Sequence, residues 1–230
     1  MERRVVITGL GAITPIGKNV DEFWKGIKEG KCGIDEITLM DTTNQKVKLA
    51  AEVKDYNPED YMDKRTAKRI DRFSQFAIIA AKEAMADSGI TPENTDMTRV
   101  GVAVSSGIGG LQTIEAQNEV AIKKGVDRIS PMFIPMSIVN MAAGNVSIET
   151  GAKGESFAMV TACATGTHSI GESYRIIKHG YQDAIIAGGT EASITPTGIS
   201  GFANLKALSQ ATDKTRASIP FDKERSGFVM

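Results

Sequence analysis

The sequence has few cysteines and no long apolar run, and each shortage excludes a class of protein. Only Cys32 and Cys163 occur among the 230 residues, too few and too widely spaced for a disulfide framework or a metal knuckle. No run of about 18 apolar residues is present, so we expect no transmembrane helix. The start, a few charged residues followed by a short apolar segment, does not resemble a signal peptide. We therefore expect a cytoplasmic protein.

The sequence also lacks an excess of either charge. It has 27 basic and 28 acidic residues, for a net charge of −1. Proteins that bind nucleic acid or an anionic membrane through their overall charge carry a clear positive excess, so we expect neither partner. The composition, 41% hydrophobic and 24% charged, is that of a globular protein, and the length suits one large domain or two small ones.

Short β-rich runs alternate with longer helical patterns along the chain. Apolar, β-branched runs predict strands at 5–8, 100–104, 156–161 and 184–187. Apolar residues at three-and-four spacing predict helices at 19–29, 65–88, 136–150 and 164–179. This alternation favours parallel strands joined by right-handed crossovers, and the strands have no polar face. The sequence therefore predicts an α/β fold with helices on both faces of a sheet.

Cys163 lies where a predicted strand turns sharply into a predicted helix. The side chains around it are small, namely those of Ala162, Ala164, Thr165 and Gly166. Small residues let the strand and the helix cross closely and leave room for a substrate. The amino terminus of a helix stabilises a thiolate and offers N–H groups to a developing oxyanion. The pattern favours a nucleophile at Cys163, whereas Cys32 is interpreted as structural.

Two glycine-rich turns invite a nucleotide-binding interpretation, and neither fits it. Gly9-Leu10-Gly11 follows a predicted strand, but Thr14 replaces the third glycine and Pro15 interrupts the start of the helix. The turn at 107–110 is not followed by the Lys-Ser or Lys-Thr pair of a phosphate loop. We therefore expect no nucleotide cofactor.

Several motifs, taken in order, resemble those of β-ketoacyl-acyl-carrier-protein synthases, which are thiolase-like condensing enzymes. They lie at 161–166 around Cys163 and at 5–11, 106–110, 130–135, 187–191 and 220–229. The similarity covers all 230 residues and is closest to the bacterial type II elongating enzymes. It implies an amino-terminal ketoacyl synthase domain over residues 1–230, incomplete at its carboxy end. The implied fold is one half of a thiolase-like α/β fold, with a mixed, mainly parallel five-stranded sheet.

The resemblance also implies an activity, acyl transfer followed by decarboxylating condensation in fatty acid elongation. Acyl carrier protein would deliver an acyl chain to Cys163. Malonyl-acyl carrier protein would then lose carbon dioxide and attack the thioester, which lengthens the chain by two carbons. This chemistry implies no cofactor and no metal. The implied partners are acyl carrier protein, carrying acyl or malonyl groups, and a second copy of the chain in a homodimer.

The same resemblance assigns two further groups of residues. The residues at acyl-pocket positions are Ile108, Phe133, Ile134 and Phe202. The residues at positions that bind acyl carrier protein are Arg65, Lys68, Arg69, Arg128 and Lys206. On a helix that runs on from residue 65, the first three would share a basic face with Arg72. A solvated charged face and ordinary core or interface packing remain the alternatives for these groups.

The histidines leave three hypotheses open. The resemblance places the two condensing histidines in the carboxy-terminal half of the family's fold. His168 and His179 are the only histidines here, and helix geometry points neither at Cys163; both are interpreted as structural. The chain is therefore a condensing synthase, a polyketide-type or chain-length-factor homologue, or a non-condensing half-fold that binds carrier protein or a partner chain. Cys163 argues against a chain-length factor, and a half-fold would expose an apolar surface.

Overall fold

The protein forms helices and short strands that divide into two compact units. In a computed structural model, which describes residues 3–230, the helices are α1 Val20–Lys28, α2 Lys64–Ala67, α3 Arg72–Ser88, α4 Leu111–Lys124, α5 Phe133–Ser137, α6 Met141–Thr150, α7 Thr165–Lys178 and α8 Pro196–Asn204. The strands are β1 Asp35–Glu36, β2 Leu49–Ala50, β3 Val100–Ser105 and β4 Ala184–Gly189. One unit contains 3–12 and Asn57–Ala192, and the other contains Ile13–Tyr56 and Ser193–Met230. Within residues 3–230, no helix is long and apolar enough to cross a membrane.

The first unit is built on the parallel pair of β3 and β4. Val100 lies opposite Ala184, and the register continues to Ser105 opposite Gly189. Every residue of β3 is buried. Its valines pack into a core with α3 and α6, and because side chains alternate along a strand, Ser105 faces the opposite side, where α7 packs. Helices thus cover both faces of the pair, as predicted.

The second unit has its own core around a short antiparallel pair. β1 and β2 pair with Asp35 opposite Ala50. The buried apolar residues of this core are Ile37, Val47, Ala50, Ile199, Ala203 and Leu208. The two helices of the unit begin at side-chain caps: Asn19 accepts a hydrogen bond from the Glu22 N–H in α1, and Thr195 accepts one from the Gly198 N–H in α8.

The prediction of a strand at 5–8 is wrong. The segment has no strand conformation, and Ile7 is 79% exposed. The chain that follows is held instead by carboxylates of α3, since the Leu10 N–H donates to Asp87 and the Ala12 N–H donates to Glu83. Long-range contacts with a helix therefore replace the ladder of hydrogen bonds that a strand needs.

The glycines of this same segment serve close packing against α3. A Cβ added to Gly9 would lie 2.1 Å from the Ala84 carbonyl oxygen, and one added to Gly11 would lie 1.8 Å from the Ala80 carbonyl oxygen. Only a residue without a side chain fits that close to a helix backbone. The pair of glycines thus has a packing function that requires no nucleotide.

The prediction of one continuous helix at 65–88 is also wrong, because Asp71 divides it into α2 and α3. Asp71 has an extended backbone and its carboxylate accepts a hydrogen bond from the Phe73 N–H, which caps α3. The Thr113 hydroxyl and N–H donate to the other carboxylate oxygen. Burial raises the pKa of the Asp71 carboxyl, although the hydrogen bond from Thr113 opposes this shift.

Two further predicted elements are shorter than expected. The predicted helix at 136–150 is divided between α5 and α6. In the segment 156–161, only Ser156 forms a bridge to β3. Beyond Phe157 the chain moves away from β3 and forms the turn at Cys163. Within the described residues, the parallel sheet therefore has two strands and one bridge, and the expected five strands are not formed. The predictions that gave α1, β3, α7 and β4 are confirmed, each within two residues at either end.

Candidate active site

Cys163 lies in a strained turn directly before α7. The turn is a single 3₁₀ turn, Ala162–Ala164, and the cysteine is exposed. Ala162 has a φ of +51°, a left-handed conformation that residues with a side chain rarely adopt. The Thr165 hydroxyl accepts a hydrogen bond from the Thr161 N–H at 3.0 Å and closes the turn. Strain of this kind is held by its surroundings and is common at functional sites.

The thiol is presented at the amino terminus of a helix of 14 residues. Among the described residues, no side chain caps that end of α7, where Ala164 is the N-cap. The first N–H groups of a helix lack intrahelical partners and carry the positive end of its dipole. The arrangement can therefore stabilise an oxyanion that forms at a thioester carbonyl next to the sulfur.

Two glycines bring α7 against the end of β4. A Cβ added to Gly166 would lie 3.3 Å from the Gly189 nitrogen, and one added to Gly189 would lie 2.9 Å from the Gly166 Cα. The small residues around the cysteine predict a close crossing of the helix with the strand before Cys163, whereas the crossing that the structure shows is with β4. This crossing fixes the first turn of α7, and with it the position of Cys163, relative to the sheet.

The loop that follows β3 is organised by Glu191, which comes just after β4. The Ser106 hydroxyl donates to one carboxylate oxygen at 2.8 Å, and the Gly107 N–H donates to the other at 3.0 Å. Sequence reasoning treated Ser106 and Glu191 only as parts of matching motifs. Their interaction joins residues 85 positions apart, so no local pattern could have revealed it.

Three of the four predicted acyl-pocket residues lie on connected elements of the first unit. Ile108 belongs to the loop after β3, and Phe133 and Ile134 begin α5. The Gly110 N–H donates to the Ser137 carbonyl at 3.0 Å, which ties that loop to the end of α5. Ile134 is 58% exposed and Phe133 is half-buried.

The fourth predicted acyl-pocket residue, Phe202, lies on α8 of the second unit. Its ring packs edge-to-face against that of Phe228, with 5.5 Å between centroids. It also contacts the buried core of that unit. Packing within its own unit thus accounts for the observed environment of Phe202.

All five basic residues predicted to bind acyl carrier protein are exposed. Arg65 lies in α2, and Lys68 and Arg69 follow it in the turn before Asp71. The basic face is therefore formed by a short helix and a turn. The prediction that these residues share one helical face with Arg72 is wrong. The Arg72 guanidinium lies instead 5.1 Å from the centroid of the Phe76 ring.

The two other basic positions lie in different units. Arg128 lines an open groove of about 560 Å³ beside α4, together with Gln117, Val120, Lys124 and Ser130. Lys206 follows α8 in a left-handed conformation with a φ of +58°. The structure thus presents each side chain to solvent on its own unit.

The outer face of α7 carries two large apolar side chains among polar ones. Thr165, Ser169 and Ser173 are its buried residues, whereas Ile170 is 55% exposed and Tyr174 is 46% exposed. A helix on a water-facing surface normally has the opposite arrangement. His168 is exposed on α7 and His179 is its exposed C-cap.

The fold is the one found in thiolase-like ketosynthases. The family model "Beta-ketoacyl synthase, N-terminal domain" matches residues 2–230, and the chain belongs to this family. It is 50% identical over 228 residues to 3-oxoacyl-[acyl-carrier-protein] synthase 2 of Staphylococcus aureus, and this match covers 99% of the chain and 55% of the relative. It is 46% identical over 230 residues to the enzyme of that name from Synechocystis, with 100% and 55% covered. The chain thus corresponds to the N-terminal half of these relatives and spans about half their length.

Solved structures agree with this assignment. The ishigamide ketosynthase/chain length factor matches with a TM-score of 0.89 at 28% identity, over 100% of this chain and 56% of that one. A type II polyketide ketosynthase in complex with its acyl-carrier protein matches with a TM-score of 0.85 at 31% identity, with the same coverage. The predicted fold class, one half of a thiolase-like fold, is therefore confirmed.

Proposed function

We propose that this chain supplies the nucleophile of a β-ketoacyl-acyl-carrier-protein synthase of fatty acid elongation. Residues 1–230 form its amino-terminal ketosynthase domain, and Cys163 takes up the acyl chain. The exposed thiol in a strained turn at the amino terminus of α7 is the observation that carries the proposal. The names of the relatives, which are 3-oxoacyl-[acyl-carrier-protein] synthases, support the choice of substrate.

The acyl-transfer step follows from the geometry of the cysteine turn. The Cys163 thiolate attacks the carbonyl carbon of the acyl thioester on acyl carrier protein, and a C–S bond forms. N–H groups at the start of α7 stabilise the negative oxygen of the tetrahedral intermediate. The intermediate collapses, the carrier thiolate leaves and takes up a proton, and the acyl chain remains on Cys163.

Condensation in this proposal requires more than the residues of this chain. Malonyl-acyl carrier protein loses carbon dioxide, and its carbanion attacks the Cys163 thioester. The C–S bond breaks, the Cys163 thiolate leaves, and the β-ketoacyl product stays on the carrier protein. The two histidines that the family resemblance assigns to this step have no counterpart in His168 or His179. We therefore assign acyl transfer to this chain. We assign condensation to this chain together with a complementary half that corresponds to the carboxy-terminal part of the relatives.

The substrate contacts are assigned as follows. The exposed charges of Arg65, Lys68 and Arg69 attract acidic acyl carrier protein, and the family resemblance assigns Arg128 and Lys206 to the same binding role. The solved complex of a related ketosynthase with its acyl-carrier protein supports such a partner. The family resemblance assigns Ile108, Phe133, Ile134 and Phe202 to acyl-pocket positions. The protein is cytoplasmic and dimeric in this proposal.

A second candidate function is a non-condensing half-fold that binds carrier protein or a partner chain. The exposed side chains of Ile170 and Tyr174 on α7 favour it, because exposed apolar surface drives association. A chain-length factor fits less well, since this chain has a nucleophile at Cys163.

Two assays separate these candidates. Labelling with limiting iodoacetamide at neutral pH, followed by peptide mapping, should modify Cys163 before Cys32. Elongation of an acyl primer, followed by mass spectrometry, should give a β-ketoacyl product only when the complementary half is supplied. Preferential modification of Cys32 in the folded protein would contradict the nucleophile. Turnover by the chain alone would contradict the division of the reaction.

A further inference from the structure

Ser106 is fixed by three hydrogen bonds that use its whole hydroxyl. It donates to Glu191 Oε1 at 2.8 Å and accepts from the N–H groups of Gly109 at 2.7 Å and Ile108 at 3.2 Å. A serine hydroxyl has one donor and two acceptor sites, and the residue is completely buried. With both lone pairs engaged, this hydroxyl acts as a structural link and has no free pair for nucleophilic attack.

The second carboxylate oxygen of Glu191 extends the link to the neighbouring residue. Glu191 Oε2 accepts the Gly107 N–H at 3.0 Å. Both oxygens of one carboxylate thus hold two consecutive residues of the loop. Both hydrogen bonds reach the same side chain, so they hold the loop to the end of β4. We call Ser106 and Glu191 the carboxylate clamp.

Gly107 connects this clamp to the turn that carries the thiol. A Cβ added to Gly107 would lie 3.1 Å from Glu191 Oε2 and 3.2 Å from the Ala162 carbonyl oxygen. The backbone of Gly107 therefore lies between the carboxylate and the residue just before Cys163. Ala162 has the left-handed conformation described above, and such a conformation persists only where its neighbours hold it.

We infer that Ser106 and Glu191 are positioning residues for Cys163, acting through Gly107 and Ala162. The inference rests on the proposed function, because it assumes that Cys163 is the reactive thiol. When the clamp is intact, the loop keeps Ala162 in its strained conformation and the sulfur in line with the N–H groups of α7. When the clamp is lost, Ala162 relaxes and the sulfur moves out of the field of the helix terminus.

The test compares alkylation rates of the two cysteines in the purified protein. The rate for Cys163, divided by that for Cys32 in the same sample, should fall about tenfold in Ser106→Ala and Glu191→Ala, the effect of one charge-assisted hydrogen bond. Glu191→Gln keeps the shape and one acceptor oxygen, so its ratio should lie between those of the parent and Glu191→Ala. Ser105→Ala is the matched control, since Ser105 is equally buried and its hydroxyl donates to the Ser106 carbonyl oxygen instead of to Glu191.

The double variant Ser106→Ala with Glu191→Ala separates a clamp from two independent contacts. Residues that act as one unit are not additive, so the double variant should react no more slowly than the slower single variant. An unchanged or increased ratio in both alanine variants would overturn the inference, and so would a Glu191→Gln variant that equals the parent. A parent protein in which Cys163 reacts no faster than Cys32 would overturn the proposed nucleophile as well, which distinguishes the two failures.

Discussion

Replacing Gly189 by alanine perturbs the crossing of α7 and β4 without touching the thiol. The added Cβ would lie 2.9 Å from the Gly166 Cα and 3.1 Å from the Gly166 nitrogen. Both atoms belong to the helix backbone, so no side chain can rotate away. The first turn of α7 must move from the strand, and Cys163 must move with it.

The expected cost follows from the required shift. Ordinary contacts of a Cβ begin at 3.4 Å, so Gly189→Ala needs a displacement of about 0.5 Å between the two backbones, and overpacking costs about 1–3 kcal/mol. The substitution also restricts the unfolded chain, which stabilises the protein by about 0.4–1 kcal/mol. The net loss of unfolding free energy should be roughly 1–2 kcal/mol.

Gly188 provides the matched control in the same strand. A Cβ added there meets no atom within 4 Å, so Gly188→Ala should leave the stability unchanged or raise it by about 0.5 kcal/mol. Urea denaturation of both variants, together with the alkylation rate of Cys163, measures the difference. Gly189→Ala should lose stability and slow the thiol. Equal stability of the two variants, or the reverse order, would refute the close crossing.

Three further predictions concern binding, chain length and pH. Reversing Arg65, Lys68 and Arg69 to Glu should weaken binding of acyl carrier protein and remove most of its salt dependence, since the attraction is screened charge. Ile108→Phe, made in the complete enzyme, should shorten the longest acyl chain accepted, because the larger ring fills the pocket. The raised pKa of Asp71 means that the folded state binds this proton more tightly than the unfolded state does. The unfolding free energy of the parent should therefore fall as the pH rises from 3.8, the ordinary pKa of an aspartate, through the pKa of Asp71 in the folded state. The unfolding free energy of Asp71→Asn should not show this fall.

Each of these predictions has a control and a contradicting result. Reversal of the exposed Lys28, Lys46 and Lys153 should alter carrier binding much less, and an equal effect would return the basic face to an ordinary solvated surface. Ile122→Phe, at a position 86% exposed on α4, should leave the chain-length profile unchanged. A profile that Ile108→Phe does not alter would place that residue outside the pocket. Parallel stability curves for the parent and Asp71→Asn would contradict the raised pKa.

The sequence predicts the elements whose causes are local. The valines of β3 mark a strand buried on both faces, and Asn19 marks the start of α1. In each case a few neighbouring residues determine the conformation, so periodicity and turn chemistry are sufficient.

The predictions that are wrong concern residues whose partners are distant in sequence. Asp71 interrupts a regular helical pattern because Thr113, 42 residues away, completes its hydrogen bonds. The segment at 5–8 has the composition of a strand, but carboxylates of α3 hold the chain that follows it. The same reason hides the clamp, since Glu191 meets Ser106 only in the folded protein.

The most direct test of the central claim is acylation of the thiol by its proposed donor. The protein is incubated with acyl-acyl carrier protein, digested and analysed by mass spectrometry, with Cys163→Ser as the control. We expect the peptide that contains Cys163 to gain the mass of the acyl group, the Cys32 peptide to remain unmodified, and the variant to gain nothing. Acylation that persists in Cys163→Ser, or that is found on Cys32 in the parent, would contradict the assignment of Cys163 as the acyl acceptor.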